Sequence, residues 1–238
     1  MFGPIRHLVF DFDGTLVDSM SSVLEGLGKS LEDALGRPIP TDDLLASFGP
    51  APQAVLRKWL PEEKVDKAFQ QWIDFEHSRN PEDFAPFVGI DSMLQGLQNS
   101  GYTLGVFTGR DRLGTVRIAE AHGWMGKYFS LDTIICGDDG FLPKPKPDAL
   151  VELLKKNNWN ASQTLMTGDH PYDMESGRLA GVKTAAVLWD IPKTKGTARS
   201  KFRQGWQKWD TVAVDLRLSS PESLTQWLVT LQPTKNQK

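Results

Sequence analysis

Cysteine is nearly absent from this sequence: Cys136 is the one example in 238 residues. A lone thiol forms no internal disulfide, which excludes both a disulfide framework and a cysteine-rich zinc site. A reducing interior is the simplest compartment, so a soluble, cytoplasmic protein is expected. Long apolar runs are missing as well. No stretch approaches the roughly 20 residues needed to span a bilayer, so no membrane association is expected. The largely apolar run Ile5–Phe10 is too short for the core of a signal peptide, and Asp11 and Asp13 follow it directly. An excess of charge is also lacking. Lys and Arg total 27 against 30 Asp and Glu, a formal net charge of −3, which gives no reason to expect nucleic acid or a membrane surface as partner. No feature speaks to oligomeric state. What remains is 39% hydrophobic and 24% charged residues, a composition suited to one sizeable core with a smaller appended unit.

The hydrophobic pattern changes twice along the chain. Ile5–Phe10 reads as a first buried strand. From Asp18 to Pro86 the pattern is helical: Val23, Leu24, Leu27, Leu31 and Leu35 recur near a helical period, and Gly36 and Pro38 stop that run. Further helices are expected at Thr41–Ser47, Ala51–Leu60 and Glu62–Arg79, the last with Phe69, Trp72, Ile73 and Glu76 on one face. Beyond Pro86, short apolar runs alternate with helices. Strands are expected at Tyr102–Phe107, Thr133–Cys136, Thr164–Thr167, Thr184–Leu188 and Thr211–Val214. Helices are expected at Asp91–Asn99, Arg112–His122, Pro147–Asn157, Met174–Ala180 and Pro221–Leu231. Short strands without polar alternation, separated by helices, indicate a parallel sheet covered on both faces. The expected fold is therefore α/β, a doubly wound parallel sheet with a Rossmann-like core and an inserted all-helical cap domain. The core takes residues 1–17 and 87–238, and the cap residues 18–86. The basic stretch Lys193–Lys208, with Phe202, Trp206 and Trp209, reads as a short amphipathic surface helix. Trp59, Trp72 and Trp189 read as packing residues.

Ligands of open parallel sheets bind beyond the carboxyl ends of the strands, so the polar residues that follow each apolar run are the candidates. Asp11 and Asp13 follow the first run. Thr108, Gly109 and Arg110 follow the second, and Gly137, Asp138 and Asp139 the third, with Lys144 a little further on. Gly168 and Asp169 follow the fourth, with Asp173 one helical turn beyond. Carboxylates gathered at one sheet edge repel each other unless a cation sits among them or some are protonated. Oxygen ligands suit a hard divalent cation such as magnesium, which binds one or two carboxylates together with substrate phosphate. A carboxylate is also a competent nucleophile toward phosphorus. Asp173 has a simpler reading as the N-terminal cap of the helix expected at Met174, and His170 as a surface loop residue.

These segments resemble the four motifs of the haloacid dehalogenase-like superfamily, in order and over essentially the whole chain. Asp11-Phe12-Asp13-Gly14-Thr15-Leu16-Val17-Asp18-Ser19 is similar to the first and Thr108 to the second. Lys144-Pro145-Lys146-Pro147-Asp148 is similar to the third, and Gly168-Asp169-His170-Pro171-Tyr172-Asp173 with Ala180-Gly181 to the fourth. The subgroup with a helical cap, which includes phosphoglycolate phosphatases and β-phosphoglucomutases, is the nearest likeness. The resemblance implies a magnesium-dependent phosphatase acting on a small phosphorylated metabolite through an aspartyl-phosphate intermediate. Asp11 would be nucleophile and metal ligand. Asp13 would be the acid and base, with its backbone carbonyl on the metal. Thr108 and Lys144 would bind the phosphoryl oxygens, and Asp169 and Asp173 would hold magnesium. Gly109, Arg110 and Gly49, the last in a cap loop, would line the substrate site. The dehalogenases of the superfamily lack an acid at the place of Asp13, and its mutases carry a histidine where this chain has Val23. A sugar phosphomutase and a non-catalytic phosphometabolite-binding protein are the alternatives.

Overall fold

The computed structural model describes residues 4–47, 52–189 and 212–231. In chain order its elements are β1 His7–Phe10, α1 Met20–Leu35, α2 Thr41–Ser47, α3 Pro52–Arg57, α4 Glu62–Ser78, α5 Ile90–Asn99 and β2 Thr103–Phe107. Then come α6 Arg112–Ala121, β3 Ile134–Ile135, α7 Asp148–Lys156, β4 Thr164–Gly168, α8 Pro171–Leu179, β5 Lys183–Val187, β6 Leu216–Leu218 and α9 Pro221–Leu231. The six strands form one sheet in the order β3-β2-β1-β4-β5-β6, and every neighbouring pair is parallel. The sheet is doubly wound: the chain moves outward from β1 in one direction and then returns past it in the other. β1 therefore lies in the middle, with β2 and β4 on its two sides, and the carboxyl ends of all three open onto the same edge.

Two hydrophobic clusters cover the sheet. Leu8, Phe10, Val106 and Leu165 point to one face, with Leu94 of α5 and Leu228 of α9. Val9, Phe107 and Met166 point to the other, with Leu150 and Leu153 of α7. Adjacent residues of β1 thus serve opposite layers, as the two-residue period of a strand requires. Helices α1–α4 gather a third cluster of their own, built from Leu27, Leu31, Val55, Leu56, Val65 and Trp72 among others. The chain enters and leaves this helical segment through two touching strands of backbone. Val17 and Pro86 form an isolated bridge, and the Asp18 N–H donates to the Ala85 carbonyl at 2.8 Å. α1 stops where the sequence predicts, with Gly36 in the left-handed region at φ 71° and its N–H on the Glu32 carbonyl.

Among the elements whose bounds differ from expectation, α3 ends at Arg57 and β1 begins at His7, and three others differ for a local reason. β6 forms at Leu216–Leu218 and not at Thr211–Val214, of which Thr211 lies outside the described residues. Asp215 sets that register: its carboxylate accepts from the Thr184 N–H at 3.0 Å and from Lys183 Nζ at 3.2 Å. β3 is shorter than Thr133–Cys136, because the Cys136 N–H turns to the Asp139 carboxylate at 2.8 Å and the Gly137 N–H to the Arg110 carbonyl at 2.9 Å. α8 begins at Pro171, three residues before Met174, capped by His170. The basic stretch Lys193–Lys208 lies outside the described residues. Among the described residues no helix is long and apolar enough to cross a membrane.

Leu31 is fully buried in the cluster of α1–α4. Leu31→Ala should cost about 2–5 kcal/mol, read as a lower urea midpoint for tryptophan emission, to which Trp59 and Trp72 of that cluster contribute.

Candidate active site

Asp11 is the first residue past β1, and its own N–H donates to the Thr167 carbonyl of β4 at 2.8 Å. Asp169 is the first residue past β4, so neighbouring parallel strands deliver both acids to one place. Asp173 comes from the first turn of α8. Here the cap expected at Asp173 falls instead to His170, whose Nδ1 accepts from the Tyr172 N–H at 3.0 Å. Asp173 sits at the third helical position and accepts from the His170 N–H at 2.9 Å, closing a capping box. That bond uses Oδ2 and leaves Oδ1 directed to the site. Asp11, Asp169 and Asp173 are all buried, and each offers an oxygen within 4.8 Å of the others.

Lys144 answers part of this charge. Its ammonium donates to Asp11 Oδ1 at 2.8 Å and to Asp173 Oδ1 at 2.6 Å, and it lies 4.5 Å from the centre of the Phe107 ring. Burial works against the ammonium, but the two carboxylates outweigh it and hold its pKa above the ordinary lysine range. For Asp11 burial is again the largest influence, and Asp173 adds repulsion. Lys144 opposes both, and the Asp11 pKa is still pushed up to about 7. With all three ionised, three carboxylates against one ammonium leave an excess of two negative charges. Buried, hard oxygen donors with that excess suit a divalent cation of the magnesium type.

Asp13 lies outside that trio and faces a different cation. Its carboxylate takes bonds from Arg110 Nε at 3.0 and 3.1 Å and from Nη2 at 2.9 Å. The other side of the guanidinium meets Glu76 of α4 at 3.0 Å, and Phe84 packs beneath it at 4.9 Å. Glu76 also accepts from Ser22 of α1 at 2.8 Å. The Arg110 and Glu76 side chains are 2% and 1% exposed, so this ion pair between the strand end and the helical segment is dry. Burial disfavours the guanidinium, yet Asp13 and Glu76 together keep its pKa raised.

Thr108 ends β2, buried, with Oγ1 accepting the Arg110 N–H at 3.1 Å, which directs its own hydroxyl proton elsewhere. Gly109 follows in a tight place: a Cβ on the facing Gly137 would lie 2.3 Å from the Gly109 carbonyl oxygen. Gly14 is the second close approach. It has φ +75°, and a Cβ there would meet Asp169 Oδ2 at 2.3 Å, so only glycine lets the first loop reach β4. Trp189 pins that loop from beyond β5 by donating to the Thr15 carbonyl at 2.9 Å. Asp11, Asp13, Thr108, Gly109, Arg110, Lys144, Asp169 and Asp173 all line one cavity of about 460 Å³. Gly49 lies outside the described residues. Glu76 and Ser22 are partners that sequence reasoning did not assign. The signal was an acid on the apolar face of α4, four residues from Trp72; its partner, distant in the chain, was not legible.

An acid-rich cavity at the carboxyl edge of a doubly wound sheet, under a helical insertion, is suited to a divalent cation and to the oxygen ligands such a cation carries. The chain belongs to the haloacid dehalogenase-like hydrolases, whose sequence pattern matches residues 8–187. It is similar to the pyrophosphatase PpaX of Bacillus velezensis, with 29% identity over 187 residues, 79% of this chain and 85% of that protein. PpaX of Bacillus cereus is 27% identical over the same coverage. Among solved structures, a predicted phosphatase from Clostridium acetobutylicum superposes with a TM-score of 0.78 at 20% identity, covering 96% of this chain and all of that one. A hydrolase from Pseudomonas syringae gives 0.72 at 18%, covering 96% and 99%. At such identities the two structures speak for the fold.

Removing Arg110 strands a buried Glu76. Arg110→Ala should destabilise the protein by about 3–5 kcal/mol, and the double variant with Glu76→Gln should recover part of that loss. Urea denaturation of the three proteins measures both.

Proposed function

We propose that this chain is a magnesium-dependent phosphatase that hydrolyses a small phosphomonoester through a phosphoryl group carried on Asp11. The observation that supports it most is the meeting of Asp11, Asp169, Asp173 and Lys144 in one cavity, from four separate stretches of chain. Residues 1–17 and 87–238 would form the catalytic core and residues 18–86 the cap, a division favoured by the separate hydrophobic cluster of α1–α4.

In this reading Asp11 attacks phosphorus. The bond from phosphorus to the ester oxygen breaks, and Asp13 gives that oxygen its proton. Asp13 then takes a proton from water as the water attacks the same phosphorus, which frees phosphate and restores Asp11. To do so Asp13 turns one carboxylate oxygen to the reacting oxygen while Arg110 keeps its bonds to the other. The Lys144 ammonium and the Thr108 hydroxyl hold phosphoryl oxygens in line with Asp11. Asp11, the Asp13 backbone carbonyl, Asp169 and Asp173 would hold magnesium. When bound, the ion offsets the repulsion between an anionic nucleophile and an anionic phosphoryl group. The cap excludes bulk water from the charged centre.

A phosphomutase would need a base on α1 to serve a sugar hydroxyl, and Val23 stands where its relatives have histidine. A purely binding protein has no need of both Asp11 and Asp13, and both are present.

Purified protein should release phosphate from p-nitrophenyl phosphate only with magnesium, and Asp11→Asn should lower the rate by a factor on the order of 10³ or more. Release that survives this substitution would overturn the proposal. Millimolar magnesium should also raise the Tm of the wild type by mass action and leave that of Asp169→Asn nearly unchanged.

A further inference from the structure

The cavity is larger than a phosphoryl group requires, and the rest of its lining has a different chemistry. Met20 and Val23 of α1, both half-buried, contribute apolar side chains from the helical segment. Phe141 and Leu142, in the loop between β3 and α7, contribute two more. These last two are 37% and 59% exposed, apolar surface at a cavity wall that a ligand would cover.

The cations of the lining are already engaged. Among the described residues they are Lys144, Arg110 and Arg57. Lys144 is held by Asp11 and Asp173, and Arg110 by Asp13 and Glu76. Arg57, the one cation that α1–α4 give to the cavity, is bonded to both oxygens of Glu62 at 3.0 and 3.1 Å. His170 also lines the cavity, its Nδ1 bonded to the Tyr172 N–H at 3.0 Å. Asp66 adds a further negative charge to the wall. A second anionic group on the substrate, such as the far phosphoryl of pyrophosphate or the carboxylate of phosphoglycolate, would find among the described residues no lysine or arginine that does not already face a carboxylate. It would meet apolar walls and an acid, and burying a charge in that way is costly.

Resting on the phosphatase reading above, we infer that the leaving group is uncharged and largely apolar. The chain is then a hydrolase of aryl or alkyl phosphomonoesters in preference to pyrophosphate or esters that carry a second anion. The apolar lining recognises the organic part, and Lys144, Thr108 and the acid cluster recognise the phosphoryl part.

The test compares kcat/KM with magnesium for benzyl phosphate, ethyl phosphate, 2-phosphoglycolate and pyrophosphate. The first three are esters of alcohols, so their order reports recognition more than leaving-group reactivity. Benzyl phosphate should exceed ethyl phosphate, and both should exceed phosphoglycolate, with a span of about tenfold or more between first and last. Leu142→Lys, at an exposed position outside the core, should narrow or invert the ratio of benzyl phosphate to phosphoglycolate. Faster hydrolysis of phosphoglycolate or pyrophosphate than of benzyl phosphate by the wild type overturns the inference and leaves the phosphatase reading standing. An unchanged ratio in Leu142→Lys also overturns it, since the wall would then play no part in the choice. Failure to hydrolyse any of the four above an Asp11→Asn control overturns the phosphatase reading and the inference together.

Discussion

Three carboxylates buried within reach of one another repel, and the geometry of this protein follows from how that repulsion is contained. Asp11 and Asp169 stand at the ends of adjacent parallel strands, so their separation is fixed by the strand spacing and cannot relax by side-chain rotation alone. Asp173 is tied by its second oxygen to the His170 N–H. Lys144 arrives on a long loop after β3 and bonds Asp11 and Asp173 together. With one ammonium for three acids the cluster remains electron-rich, and the Asp11 carboxyl is pushed up to about 7 by burial and by Asp173. A site built in this way is poised to take up positive charge. The same excess would resist any phosphoryl group that came without a cation.

The second cation of the site answers a different need. Arg110 grips Asp13 on one side and Glu76 of α4 on the other, and Ser22 of α1 bonds Glu76. A pair with both side chains almost fully buried contributes little net stability, since desolvation offsets most of the attraction, but breaking it leaves a bare charge. Its effect is therefore on specificity of arrangement. The helical segment is seated over the sheet at one defined point, and the candidate acid and base is part of the seat. Further contacts support the same placement: His77 bonds Asp111 at 2.8 Å, and Arg117 bonds the His77 carbonyl at 2.7 Å.

Much of this was legible in the sequence because it depends on local signals. An apolar run that ends in Asp-x-Asp-Gly, together with runs that end in Thr-Gly-Arg and Gly-Asp, specifies which residues leave the sheet at its carboxyl edge. The parallel topology then brings them together. What was not legible depends on contacts between distant residues. β6 could not be placed from its own residues, because Asp215 sets it through Thr184. The start of α8 was missed because a histidine is an uncommon cap, and proline after it marks a first helical turn as readily as a loop. Arg110 read as a substrate ligand. Its burial against Glu76 required knowing how α4 lies over β2, and no spacing encodes that.

The two cations are also kept apart, and the separation has a chemical consequence. Lys144 bonds the proposed nucleophile and Arg110 bonds the proposed acid and base, and no described hydrogen bond or ion pair joins one cation to the other's carboxylates. Asp11 and Asp13 are two residues apart in the chain, close enough for the charge of Asp13 to add to the rise in the Asp11 pKa. In the proposed mechanism, separate partners would let Asp11 act as the nucleophile while Asp13 passes its proton. Glu76 makes the second arrangement depend on the helical segment, since it draws Arg110 toward α4 and fixes the side from which Asp13 is held. A chain in which α1–α4 were displaced would keep the Asp11 cluster, which is built from the sheet edge, α8 and the Lys144 loop, but would lose the outer support of Arg110. In the proposed mechanism, phosphoryl binding would thus depend on the sheet edge, and proton transfer on the sheet edge and helices α1–α4 together.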